Sequence, residues 1–100
     1  MGLQLTLDET RIAAFCRKWR VKELSVFGSA LRKDFGSDSD VDVLVELQPG
    51  HGLVMYDWLN MIEELRVIFG REVDLVAKGG LKNPFRRARI LQTAEVVYAA

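Results

Sequence analysis

Two aspartates, Asp40 and Asp42, open a β-branched run that extends from Val41 to Leu47. Few features restrict a fold more than acids placed at the head of a strand. Side chains two apart on a strand project to one face, so the two carboxylates stand together. Aspartate is a poor strand former, and like charges held side by side repel each other. Something must compensate. Hard oxygen ligands this close suit Mg²⁺ or Mn²⁺, which would neutralise the repulsion. The bland alternative is a pair of solvated acids where a strand begins.

The rest of the chain supplies an alternation of helices and strands around that run. Thr6 and Glu9 have capping-box spacing, with Asp8 as a competing cap, so a helix begins near residue 7. Its apolar positions Ile12, Phe15, Cys16 and Trp19 share one face, which makes Cys16 a small core residue. Leu24–Phe27 reads as a short strand ending at Gly28-Ser29. A helical turn or two over 29–35 and a turn at Gly36–Ser39 follow. The Val41–Leu47 strand stops at Pro49-Gly50-His51-Gly52. Met55–Phe69 repeats at helical spacing and is closed by Gly70. Within it, Met61 and Ile68 widen the apolar stripe toward either the core or an interface. Glu72–Ala77 is a third strand, and Asn83-Pro84 opens a last helix predicted to run to about residue 98.

A helix between the second and third strands predicts a parallel, right-handed crossover. The short link between the first and second favours an antiparallel pair. The expected fold is α/β: a small mixed sheet of three or four strands packed by helices. One hundred residues fit a single domain, 1–100. Fourteen basic and fourteen acidic residues cancel, which argues against direct nucleic-acid binding or membrane coating by bulk charge. One cysteine excludes an internal disulfide and a Cys-clustered zinc site. Charges within residues 1–20 do not fit a signal peptide, and no apolar run approaches the roughly 18 residues of a membrane span. The chain reads as cytoplasmic.

Gly28-Ser29 precedes Asp40 by a ten-residue spacer. Glycine lets a phosphate approach the backbone, Ser29 adds a hydroxyl and an N–H, and free N–H groups at a helix start bind anions. An antiparallel first pair sets the end of strand one beside the start of strand two. A third acid, Asp74, interrupts the apolar strand Val73–Val76 and reaches the same metals if strands two and three pair. Three acids beside a Gly-Ser turn describe a two-metal phosphoryl or nucleotidyl transfer site. Asp38 shares the parity of Asp40 and Asp42 but lies in the turn, where solvation is expected. Arg32 reads equally as a phosphate contact or a solvated residue. Lys82, Arg86, Arg87 and Arg89 cluster where the helix dipole favours acids, which suits an acidic partner or the triphosphate as well as a solvated face. His51 reads as a solvated loop histidine.

Phe27-Gly28-Ser29, Arg32, Ser39-Asp40-Val41-Asp42 and Leu44-Val45 together resemble the DNA polymerase beta-like nucleotidyltransferase superfamily, and most of all its minimal nucleotidyltransferases. Val73-Asp74-Leu75-Val76 is similar to the family's third-acid strand, and Asn83-Pro84 through Tyr98-Ala99 looks like its closing helix. The resemblance implies that Asp40, Asp42 and Asp74 are catalytic and bind two Mg²⁺ or Mn²⁺ ions. It implies that Gly28 and Ser29 hold the triphosphate of ATP, with Arg32 beside them. Minimal nucleotidyltransferases are often encoded beside a HEPN-domain protein, and some transfer AMP to a tyrosine of that toxin. A HEPN toxin is therefore the implied partner, in a hetero-oligomer. An antitoxin that neutralises by binding alone, and a nucleotidyltransferase acting on a small molecule, are the competing readings.

Overall fold

A computed structural model describes residues 7–28, 40–80 and 83–100 of the chain. Ser29, Arg32, Asp38, Lys82 and Thr6 lie outside the described residues, as do the helical turn expected over 29–35 and the turn after it.

The Val41–Leu47 run forms β2, as its alternation predicts. Val41, Val43 and Val45 are fully buried, while Asp42 is half-buried on the opposite parity. Strand β1, Val21–Phe27, pairs with β2 antiparallel and sets Phe27 opposite Asp42. Helix α2, Met55–Phe69, carries the chain back to β3, Val73–Ala77, which lies parallel to β2. A 3-10 turn at Lys78–Gly80 leads toward helix α3, Pro84–Thr93, and then to β4, Glu95–Ala99, antiparallel to β1. Helix α1, Glu9–Lys18, precedes them all, and the sheet order is β3-β2-β1-β4.

The local signals explain the boundaries. Asp8 caps α1: its carboxylate accepts from the Arg11 amide at 3.1 Å. Gly70 ends α2 in the left-handed region at φ 69°, which only glycine enters without strain. Arg66 near the end of α2 pairs with both Glu63 and Glu72, tying the helix to the start of β3.

The two faces of the sheet are unequal. One face sends Leu24, Val26, Val41, Val43, Val45 and Leu75 into the main core, where α1 and α2 cover it. Met61 is fully buried there and Ile68 packs against it, so the widened stripe of α2 belongs to the core. Cys16 is also fully buried; desolvation pushes its thiol up to about 12 against the opposing charge of Arg17, which leaves it neutral and unreactive. The other face carries a much smaller cluster of Phe27, Leu44 and Ile90 beneath α3, with Val76 and Ala94 packed against it. Among the described residues no helix is long and apolar enough to cross a membrane.

Two expectations need correction. Strand β1 begins at Val21, three residues before the predicted Leu24. The last helix ends at Thr93 instead of near residue 98, and Glu95–Ala99 is a fourth strand. Ile90, Leu91, Ala94, Val97 and Tyr98 keep a helical spacing that disguises the change. The β-branched pair Val96-Val97 and Tyr98 favour extended backbone, and the edge of β1 supplies hydrogen-bond partners that a longer helix would leave unused.

Candidate active site

The acids gather where β2 and β3 begin. The parallel register sets Asp42 directly beside Asp74. Paired positions on neighbouring strands are roughly 4.8 Å apart and share a face. The Val41 amide donates to the Glu72 carbonyl at 2.9 Å, so the ladder holds the starts of the two strands level. Asp40 lies one residue before β2, exposed and of the same parity as Asp42. Asp74 is exposed as well. These positions share a face with the small Phe27–Leu44–Ile90 cluster, whose apolar side chains floor the sheet behind the acids.

Gly28 follows β1 at the same edge, with φ at 68°. A Cβ on this residue would land on the Asp42 carboxylate, with Asp42 Cγ only 3.1 Å away. The sequence marks Gly28 as a place for phosphate to approach. The structure adds a second reason for glycine there: Asp42 occupies the space that any side chain would fill.

Among the described residues no three His, Cys, Asp or Glu side chains stand close enough to form a metal cage on their own. The donor set nevertheless fits Mg²⁺ or Mn²⁺. Its carboxylates are hard ligands on one open edge, and Mg²⁺ characteristically takes one or two protein carboxylates and completes its shell with water and phosphate oxygens. Ser29 and Arg32, the other expected phosphate contacts, lie outside the described residues.

Other candidates fall elsewhere. His51 Nδ1 accepts from the Leu53 amide at 2.9 Å, a bond that holds the loop and puts the neutral ring's proton on Nε2. Arg86, Arg87 and Arg89 are exposed on the first turns of α3, and Arg87 lines a cleft at the far end of β2 and β3. Sequence reasoning passed over the Glu46–Lys78 pair, 3.3 Å apart, on the wall of that cleft. The available signal was a glycine-rich loop after each of two parallel strands, a pattern that marks clefts at the carboxyl ends of sheets.

Residues 10–97 match the nucleotidyltransferase domain family. The chain belongs to that family. This nucleotidyltransferase is 36% identical to protein adenylyltransferase MntA of Thermococcus cleftensis, over 94% of its own length and 96% of the relative's. Its fold is similar to that of a toxin–antitoxin crystal structure with AMP-PNP, at a TM-score of 0.73 and 18% identity, covering 94% of this chain and 75% of that one. It is also similar in fold to the structure of a tri-AMPylated Shewanella oneidensis HEPN toxin in complex with MNT antitoxin, at a TM-score of 0.62 and 17% identity, covering 92% and 70%. The chain is thus a nucleotidyltransferase, and an enzyme.

Proposed function

We propose that this nucleotidyltransferase moves AMP from ATP to a tyrosine hydroxyl of a HEPN-domain toxin and serves as the antitoxin of that pair. The observation that supports it most directly is the Asp42–Asp74 register, with the Asp42 carboxylate packed against Gly28, which brings two acids and the glycine together at one end of the sheet. The name of the Thermococcus relative and the AMPylated HEPN toxin among the similar structures support the choice of AMP and of acceptor.

In this reading Asp40, Asp42 and Asp74 hold two Mg²⁺ or Mn²⁺ ions. Such ions supply charge neutralisation at the phosphates and make the acceptor hydroxyl more acidic. Gly28 and Ser29 orient the triphosphate through backbone and hydroxyl groups, and Arg32 adds a positive charge. The acceptor oxygen attacks the α-phosphorus in line, the α–β phosphoanhydride bond breaks, and pyrophosphate leaves. Asp74 receives the hydroxyl proton.

The test mixes the protein with Mg²⁺ and a HEPN protein encoded beside it. Label from α-labelled ATP is expected on the partner, with pyrophosphate released, and γ-labelled ATP should leave none. Label from the γ position would indicate a kinase and overturn the assigned chemistry. Protection of cells by a protein that transfers nothing would favour neutralisation by binding alone.

A further inference from the structure

The far end of β2 and β3 carries a second constellation that the transfer chemistry does not use. Ala77 lies three residues along β3 from Asp74, about 10 Å at the rise of a strand. Beyond it two hollows adjoin and share Leu47, His51 and Ala77 as their common wall. The first is a cleft of about 600 Å³ between the loops at 48–51 and 78–80, with Lys78 and Arg87 on its sides. The second, of about 270 Å³, is lined by Leu53, Val54, Met55 and Trp58. Two of its lining side chains are largely exposed, Val54 at 63% and Met55 at 71%, and the same first turns of α2 also expose Tyr56 and Leu59.

We propose that these joined hollows are the docking surface for the acceptor protein, which presents an acidic residue to the cleft and apolar side chains to the groove. The proposal rests on the protein-acceptor reading above. Charge supports the acid: Glu46 is shared between Lys22 at 3.8 Å and Lys78 at 3.3 Å, so one carboxylate serves two ammonium groups. Among the described residues no carboxylate pairs with Arg87. The cleft therefore keeps a positive surplus. Composition supports a protein occupant, because Met55 and Trp58 in the groove and Arg87 in the adjoining cleft are of types enriched where proteins meet. A phosphate backbone would satisfy the cations and leave the apolar groove unfilled. Location supports it as well. Docking at the carboxyl ends of the strands leaves the acids at their amino ends open, so a distant segment of the acceptor can enter with its hydroxyl.

Met55→Glu and Arg87→Glu test the surface, with Arg87→Lys as the conservative control. Met55 is the first residue of α2, where an acid suits the helix dipole, and Arg87 is exposed, so all three variants should fold. Calorimetry with the HEPN protein should show each glutamate variant binding at least tenfold more weakly. Its KM for that protein should rise in parallel, with kcat at saturating partner and the melting-temperature shift from ATP and Mg²⁺ unchanged. Arg87→Lys should bind like the parent. Unchanged affinity in both glutamate variants, with transfer intact, overturns the docking surface and leaves the adenylyltransferase reading standing. A parent protein that neither binds nor labels the HEPN protein overturns both. Loss of a homodimer in sedimentation, or of affinity for a single-stranded RNA probe, with partner affinity retained, would assign the surface to a second copy or to RNA and overturn the proposal.

Discussion

Gly28 and Asp42 show how far one missing atom can govern a site. At φ 68° an alanine would be strained by about 1–2 kcal/mol even in open space. Here the space is taken by the Asp42 carboxylate, so the new methyl and the acid cannot both keep their places. Gly28→Ala should therefore destabilise the fold and blunt the melting-temperature shift produced by Mn²⁺ with ATP. A double-mutant cycle separates the two causes. In an Asp42→Ala background the collision is gone, and Gly28→Ala should cost only the backbone strain. Urea denaturation of the four proteins should give a coupling energy of about 1 kcal/mol or more. Additive effects would mean that Asp42 moves aside freely and that the glycine serves the backbone alone. The sequence marks both residues as important. The physical link between them requires the antiparallel register that sets Phe27 opposite Asp42.

At the scale of elements, what the sequence made legible follows signal strength. Strand β2 and helix α2 have the predicted bounds because a β-branched alternation and an apolar repeat at helical spacing each point one way, and Pro49 and Gly70 end them sharply. Helix α3 was legible at its start and not at its end. Asn83 accepts from the amides of Phe85 and Arg86 at 3.0 and 3.1 Å, as an asparagine before Pro84 should. No comparable stop signal follows, since Ala94 simply turns to extended backbone and β4 forms because β1 has a free edge. That information is tertiary, and no local pattern holds it. The same helix buries only Ile90 and has no acid in its first turn, so it depends heavily on its cap. Asn83→Ala should cost about 1 kcal/mol. Amide exchange should quicken over residues 85–89 while α2 is unaffected. Equal quickening in both helices would mean that the cap supports the whole fold and not one element.

The whole molecule divides its labour between the two faces of one sheet. The face under α1 and α2 holds nearly all the fully buried side chains, and stability resides there. The face under α3 is thinly covered, which leaves room for acids at one end and for a cleft at the other. Asp74 tests this division because it lies 32 positions beyond Asp42 in sequence, by subtraction of their numbers, and beside it in the sheet. The sequence suggested that meeting only through the parallel crossover, whereas the register establishes it. As an exposed residue outside the main core, Asp74 should contribute little to folding. Asp74→Asn should shift stability by well under 1 kcal/mol, read by urea denaturation. Loss of a metal ligand or proton acceptor should lower the transfer rate by roughly 10²-fold or more. Partner affinity should hold, since the proposed docking surface is at the opposite ends of the strands. A variant that folds, binds the HEPN protein and still labels it at the parental rate would remove Asp74 from the chemistry. One that folds and binds, transfers nothing and yet protects cells fully would show that binding at the far surface, and not catalysis at the acids, is what silences the toxin.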